Sequence, residues 1–171
     1  MSQSQSNNFS VSNIFRKSRP SEKVALALST CFGIGLLPLA PGTFATMAAA
    51  PLILGLNILG IWYSVFALVA VTVIAVWASN LSCVLIGRND PQEVVIDEIA
   101  GFLVTMLLVP PTWLALGTGF VLFRVFDIVK PYPIKKVERW RGGFGIVMDD
   151  LLAGFYANLC VRIILSLLDA M

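Results

Sequence analysis

Long apolar segments separated by short polar stretches dominate the chain after residue 22. These segments cover residues 24–40, 43–60, 61–81, 98–109, 113–129 and 151–168. A transmembrane helix needs about 20 mostly apolar residues to cross a hydrocarbon layer of about 30 Å. Only 61–81 meets this length cleanly, because 98–109 is short and glycine and proline interrupt 24–40. The pattern predicts an all-α fold, a compact integral membrane helical bundle with a re-entrant or broken N-terminal helix.

The composition supports a membrane protein with one folded domain. Of the 171 residues, 57% are hydrophobic and 13% are charged, whereas soluble domains carry about 25% charged residues. Residues 1–21 are polar and then basic, which predicts a mobile basic tail before a single helical membrane domain at 22–171. The net charge is only +2 and the basic residues form no stripe. We therefore predict no nucleic-acid binding, and the sequence indicates no particular protein partner.

The distribution of Lys and Arg predicts how the segments cross the bilayer, because loops rich in these residues stay on the cytoplasmic side. We expect 24–40 to enter the membrane and return to the same side. The segments 43–60, 98–109 and 150–168 then run outward, and 61–81 and 113–129 run back. Every charged loop lies on the cytoplasmic side in this arrangement. The sequence therefore predicts a multi-pass protein whose charged groups share one membrane face.

After the tail, nearly all charge falls into three clusters, at 88–98, at 124–141 and at Asp149-Asp150. They supply five candidate catalytic carboxylates: Asp97, Glu98, Asp127, Asp149 and Asp150. Carboxylates gathered without partners repel one another, and a divalent cation removes this repulsion. The chain contains no histidine, so a metal would have oxygen ligands, which suits Mg²⁺. We expect Asp97, Glu98, Asp127 and Asp150 to hold it.

Two similar motifs carry four of these acids. When "DEIAGF" (97–102) and "DDLLAGF" (149–155) are aligned on Ala-Gly, Asp97 matches Asp150, and a glycine follows each aspartate by four residues. We expect each aspartate in the first turn of a helix. One interpretation is a capping acid and a small residue for close helix packing. The other is a functional acid, since acids inside apolar segments are costly to bury.

The stretch "FRVFDIVKPYPIKK" places Arg124, Asp127 and Lys130 three residues apart, on one side of a helix that prolines then end. This spacing predicts an internal ion pair at the helix end or, alternatively, an acid flanked by cations that bind a phosphate. We include Lys135, beyond the prolines, among the candidate phosphate ligands. Arg139 and Arg141 are expected to contact only the membrane surface, since nothing in the sequence ties them to the acids.

Two further stretches carry candidate phosphate contacts. Thr43 in "PLAPGTFA" is a reasonable N-cap, and a free helix N-terminus attracts phosphate, although capping alone would also explain the residue. The "RGGFG" stretch at 141–145 predicts either a flexible turn or a backbone loop that a ligand approaches closely.

At these residues the chain resembles the phosphatidylglycerophosphatase A family. The matching stretches are "GLLPLAPGT" (35–43), "IDEIAG" (96–101), "FRVFDIVKPYPI" (123–134) and "GGFGIVMDDLLAG" (142–154). The resemblance implies Mg²⁺-dependent removal of the terminal phosphate of phosphatidylglycerophosphate, which gives phosphatidylglycerol. It also implies a site at the cytoplasmic face of the bacterial inner membrane. The roles of the individual acids do not follow from it, and the nucleophile is either water or a carboxylate.

A second class of function is a small ion- or proton-coupled transporter that uses intramembrane carboxylates. Transporters place such acids near the bilayer midplane. Here the acids lie near predicted helix ends beside basic loops, which favours a site at the level of the lipid headgroups.

Overall fold

The computed structural model describes residues 11–170, and all regular structure in that range is helical. The helices are α1 (residues 11–17), α2 (Pro20–Ser29), α3 (Pro41–Leu59), α4 (Ile61–Ile86), α5 (Ile96–Met106), α6 (Trp113–Val129), α7 (Ile134–Val137) and α8 (Gly143–Asp169). A 3₁₀ turn at Ile34–Leu36 lies between α2 and α3. The predicted all-α class is confirmed.

Helical structure begins earlier than residue 22. The first ten residues of the predicted tail lie outside the described residues, but 11–17 form α1 and Pro20 begins α2. Val11, Ile14 and Phe15 share one helix face, and Val11 is buried. Glu22 accepts a hydrogen bond from the Arg19 backbone N–H at 2.8 Å, which caps α2. The sequence pattern did not reveal this helix, because the three apolar residues lie within a mostly polar segment.

The predicted break in the N-terminal helix is present after Ser29. Cys31, Phe32 and Gly33 follow with φ angles of 46°, 54° and 101°, which no α-helix can continue through. The chain then turns through Ile34–Leu36 and reaches α3 at Pro41. The end of α2 lies beside the start of α5, because the Val95 N–H donates to the Ser29 carbonyl at 2.8 Å. After the break, the start of α3 reaches the same end of the bundle, since Pro41 and Val95 line one cavity.

The long helices alternate in direction as the charge pattern predicted. The starts of α3, α5 and α8 and the end of α6 line one cavity, together with the loop after α4. A second cavity at the opposite end is lined by the ends of α3 and α5 and the start of α4. Three helices, α3, α4 and α8, are long and apolar enough to cross a membrane. The prediction that only 61–81 has a clean spanning length is therefore too restrictive, because α3 continues through Pro51 and α8 includes the acids before its apolar run.

The short helix α5 ends inside the bundle, and α8 satisfies its last carbonyl groups. The Asn158 amide lies 3.2, 2.9 and 2.9 Å from the carbonyl oxygens of Val104, Thr105 and Leu107. Arg162 adds a hydrogen bond to the Leu108 carbonyl at 3.2 Å. Because unpaired backbone groups are costly away from water, these two side chains explain how an 11-residue helix can stop there.

Candidate active site

The three charged clusters of the sequence converge on one cavity of about 710 Å³ at one end of the bundle. Its acidic side chains are Asp90, Asp97, Glu98, Asp127, Glu138, Asp149 and Asp150, and its basic ones are Arg124, Lys130, Arg139 and Arg141. Seven acids therefore face four bases. None of the described residues that line the cavity carries a hydroxyl or a thiol group.

The first turn of α5 supplies Asp97 and Glu98, as predicted, and both side chains are buried. The loop before α5 is fixed by Arg88, whose guanidinium lies 2.7 Å from each carboxylate oxygen of Glu93. Oδ1 of Asp97 is buried and has no hydrogen-bond partner in the described part of the chain. An unpaired carboxylate oxygen in such a place is costly, which indicates a position that a ligand completes.

Glu98 is bound from two other helices. Thr46 of α3 donates its hydroxyl hydrogen bond to Glu98 Oε2 at 3.1 Å, and Nη1 of Arg124 in α6 donates to the same oxygen. Arg124 Nη1 also lies 3.0 Å from Asp127 Oδ2. The predicted ion pair at the end of α6 therefore exists. Glu98, Arg124 and Asp127 all line the cavity, so these paired groups still face the space that a ligand would occupy.

Lys130 connects α6 to α8. It is the C-cap of α6, and its Nζ lies 2.6 Å from Asp149 Oδ2 and 2.8 Å from Glu138 Oε1. Burial by itself lowers the pKa of Lys130, but the hydrogen bonds to Asp149 and Glu138 outweigh burial and the pKa is raised. Lys130 therefore remains an ammonium at neutral pH. Burial raises the pKa of the neighbouring Asp90, and Lys130 opposes that rise.

The start of α8 carries Asp149 and Asp150, both buried. The prediction that Asp150 lies in the first turn of a helix is wrong, because α8 begins at Gly143. The "RGGFG" stretch is therefore the start of a helix and not a free turn. Gly142 has φ of 76°, and the Gly143 N–H donates to Asn80 Oδ1 of α4 at 2.6 Å, which anchors this start. A side chain at Gly143 would meet the backbone of α4 at Val76.

Asp97 and Asp150 occupy equivalent places on two parallel helices. A β-carbon built at Gly101 would lie 2.8 Å from the Asp150 carbonyl oxygen, and one at Gly154 would lie 3.0 Å from the Gly101 carbonyl carbon. The close-packing interpretation of the two glycines is therefore confirmed. Neither aspartate forms an ion pair within residues 11–170. Asp97 and Asp150, neither with a cationic partner in that range, thus approach the cavity from a close contact between α5 and α8.

Two predicted phosphate contacts, Thr43 and Lys135, and two arginines assigned to the membrane surface, Arg139 and Arg141, have unexpected positions. Thr43 is not an N-cap: α3 begins at Pro41 with Ala40 in the left-handed region, and Thr43 does not line the cavity. Lys135 faces a separate cleft because α7 turns it away. Arg139 and Arg141, by contrast, line the cavity. They therefore lie beside the acids, to which nothing in the sequence tied them, because α7 and the turn after it return the chain to the cavity.

Some cavity residues were not singled out from the sequence. Asp90 and Glu138 belong to the charged clusters that the sequence reveals, so the clustering itself could have found them. Gly42 lines the cavity where a β-carbon would collide with the Glu98 carboxylate. Thr46 does not line the cavity but donates a hydrogen bond to Glu98. It gives no sequence signal, since this role depends on α3 packing against α5.

The chemistry of the cavity fits a hard divalent cation. The acids outnumber the bases by three, Asp97 Oδ1 has no partner, and carboxylates are the ligands that Mg²⁺ prefers. Within residues 11–170, no group of three or more Asp, Glu or Cys side chains is already arranged to hold a metal ion. The types of donor suit the ion, but the described carboxylates are not gathered around one position.

Comparison with known proteins agrees with the geometry. Residues 27–165 match the family described as Phosphatidylglycerophosphatase A. The chain belongs to this family. Two relatives carry the family name: the Escherichia coli protein is 35% identical over 131 residues, covering 74% of this chain and 75% of its own. The Haemophilus influenzae protein is 31% identical over 153 residues, covering 85% and 94%.

A third relative of the chain does not carry the family name. A Bacteroides thetaiotaomicron protein, provisionally named a phosphatidylinositol-3-phosphatase, is 36% identical over 147 residues, covering 80% of this chain and 90% of its own. No solved structure matches the chain. The family match favours a phosphatase over the transporter hypothesis.

Proposed function

We propose that this protein hydrolyses the terminal phosphate monoester of phosphatidylglycerophosphate to give phosphatidylglycerol and inorganic phosphate. The observation that carries this proposal is the cavity in which carboxylates and cations from three helices and two loops meet at one end of a membrane bundle. The names of the Escherichia coli and Haemophilus influenzae relatives supply the substrate.

The basic side chains of the cavity bind the substrate phosphate in this proposal. Arg124 and Lys130 are held in place by carboxylates, and Arg139 and Arg141 have no ion-pair partner in the described part of the chain. Guanidinium groups bind phosphate oxygens in pairs. Arg139 and Arg141 are therefore free to meet the phosphate at the exposed rim, while Arg124 and Lys130 meet it deeper in the cavity.

The attacking group is water or a carboxylate, because no described cavity residue offers a hydroxyl or thiol. A new bond forms between phosphorus and the attacking oxygen, and the bond between phosphorus and the glycerol oxygen breaks. The glycerol oxygen takes up a proton and leaves as the alcohol of phosphatidylglycerol. If a carboxylate attacks first, water then cleaves the acyl phosphate, so both routes give the same products.

Mg²⁺ is the proposed cofactor, held by Asp97 and Asp150 together with Glu98 and Asp127. When bound, the ion would lower the repulsion between the acids and the phosphate and polarise a phosphoryl oxygen. Asp97 and Asp150 are the primary candidates because neither has a cationic partner to give up. Glu98 and Asp127 hold Arg124 in the orientation that the phosphate needs.

We further propose that the active site lies at the cytoplasmic face of a bacterial inner membrane. The cavity end of the bundle carries the Lys- and Arg-rich segment 124–141. Exposed aromatic rings flank both ends: Tyr132 and Trp140 near the cavity, and Trp62, Tyr63 and Trp113 at the other end. Such rings collect at membrane interfaces, so this arrangement supports a bundle that spans the bilayer.

The name of the Bacteroides relative suggests an alternative substrate, an inositol lipid with a 3-phosphate. Purified protein in neutral detergent micelles should be offered phosphatidylglycerophosphate, phosphatidylinositol 3-phosphate and phosphatidic acid, with released phosphate measured for each. Preference for the first supports the proposal, and EDTA should abolish its hydrolysis until Mg²⁺ is added back. Preference for the inositol lipid would replace the substrate, and hydrolysis of none would reject the activity.

A further inference from the structure

A second cleft, lined by four basic side chains and one tyrosine, lies beside the catalytic cavity. It has a volume of about 390 Å³ and is lined by Lys130, Tyr132, Lys135, Lys136 and Arg139, within the usual range of about 300–1,000 Å³ for small-ligand sites. No acidic side chain lines it. The proposed phosphatase reaction uses Lys130 and Arg139, which also line the neighbouring cavity, but it gives no role to Lys135 and Lys136.

The cations of this cleft are available to a ligand. Among the described ion pairs, Lys130 is bound to Asp149 and Glu138, but Lys135, Lys136 and Arg139 have no partner. Three unpaired cations facing one concave surface repel each other unless an anion lies between them. Lys130 and Arg139 also line the catalytic cavity, so the two sites share a wall.

Aromatic side chains show which kind of anion reaches this cleft. Tyr132, a lining residue, is 79% exposed, and Trp140 next to Arg139 stacks on Phe144 with ring centroids 5.6 Å apart. All three rings project from the same end of the bundle as the cations. Because exposed Tyr and Trp rings lie at the level of lipid headgroups in membrane proteins, the cleft opens where lipid phosphates are located. Cation-lined surfaces at this depth attract anionic lipids.

We propose that the cleft binds the phosphodiester headgroup of an anionic membrane lipid, at a site separate from the catalytic cavity. Lys135 and Lys136 would contact the phosphate oxygens, with Arg139 on the wall shared with the catalytic cavity, and Tyr132 would lie beside the glycerol backbone. This binding does not require that the protein be a phosphatase. Its test therefore measures lipid binding and not turnover.

The full-length protein in neutral detergent should be titrated with phosphatidylglycerol, with bound lipid counted by native mass spectrometry. We expect a Lys135→Ala/Lys136→Ala variant to bind about tenfold more weakly, since a hydrogen bond to a charged group contributes a factor of this size. Arg16→Ala/Lys17→Ala removes the same charge from exposed positions of α1 and should leave binding unchanged.

Four outcomes would overturn the proposal. Equal loss in the Arg16/Lys17 control would show an unspecific charge effect. Loss in Arg124→Ala but not in Lys135→Ala/Lys136→Ala would place the lipid in the catalytic cavity. Equal binding of phosphatidylcholine, or full displacement by inorganic phosphate at the same concentration, would show that an anionic lipid headgroup is not what the cleft recognises. Both lysines are exposed, so we expect their variant to unfold at the wild-type temperature. Weaker lipid binding by this variant would then not result from misfolding.

Discussion

Gly154 of α8 packs directly against the backbone carbonyl of Gly101 of α5. The α-carbon of Gly101 in turn packs against the Asp150 carbonyl and the Phe123 ring, which leave no room for a β-carbon. Gly101 contacts Asp150, and Thr105, further along α5, contacts Asn158, further along α8. The helices are therefore parallel, and Asp97 and Asp150, each four residues before its glycine, enter the cavity from one crossing point.

Gly154→Ala should separate α5 from α8 and move the two aspartates apart. The added methyl group would overlap a backbone carbonyl, which no side-chain rotation relieves. We expect a loss of about 1–3 kcal/mol in the free energy of unfolding, measured in detergent, together with lower turnover. Gly117→Ala is the matched control, because nothing lies within 4 Å of its β-carbon. Equal effects of the two changes would mean that the Gly101–Gly154 contact has no special role.

Asp97→Asn and Asp150→Asn should each lower turnover without lowering the stability of the fold. Both acids are buried without a cationic partner, so a neutral amide of the same size should leave the unfolding temperature unchanged or higher. Turnover should fall about 100-fold or more, as expected when a group that organises charge in the transition state is lost. Asp169→Asn, at the exposed far end of α8, should keep the wild-type rate. Near-normal turnover in Asp97→Asn would exclude that residue from the site.

The sequence was sufficient to predict the clustering of charge and the pair of Arg124 with Asp127, but not the pairs that join different helices. Asp97, Asp127 and Asp150 are predictable as neighbours because alternating helices bring every charged loop to one end. The position of Arg139 depends on α7, a single helical turn, and on the turn after it, neither of which leaves a periodic pattern. Thr43 was misassigned because Pro41 begins the helix and shifts its cap to Ala40.

Mg²⁺ should stabilise the folded protein even without substrate. A ligand that binds only the folded state at 100 times its Kd adds about 2.7 kcal/mol. We expect Mg²⁺ to raise the unfolding temperature of the wild type in a differential scanning experiment. Asp97→Asn/Asp150→Asn should abolish this rise, whereas Asp169→Asn should retain it. An identical rise in the double variant would show that the ion binds elsewhere.

Asn158→Leu should destabilise the end of α5 without changing any cavity residue. The amide serves the carbonyl oxygens of Val104, Thr105 and Leu107, and each orphaned buried group costs about 1–3 kcal/mol. We expect a lower unfolding temperature and faster hydrogen exchange at the C-terminal end of α5. Leu159→Asn, a half-exposed neighbour on α8, tests whether any polarity change there has the same effect. If only Leu159→Asn destabilised the protein, the capping role of Asn158 would be rejected.

Arg124→Ala should lower the unfolding temperature and Arg139→Ala should not, whereas both variants should hydrolyse the substrate more slowly. Arg124 is the shared partner of Glu98 and Asp127, so its removal leaves two carboxylates unpaired in a partly buried place and should lower the unfolding temperature. Arg139 is exposed and has no described ion pair, so its removal should leave folding intact.

Both arginine variants should hydrolyse a short-chain, water-soluble substrate at least about tenfold more slowly, because each loses a charged contact to the phosphate. The soluble substrate matters, since membrane attachment then has no influence on the rate. Arg16→Ala, an exposed change in α1, is the control and should keep full activity. A wild-type rate for Arg139→Ala would return Arg139 to the membrane-surface role that the sequence first indicated. A wild-type rate for Arg124→Ala would reduce its ion pairs to a purely structural link between α5 and α6.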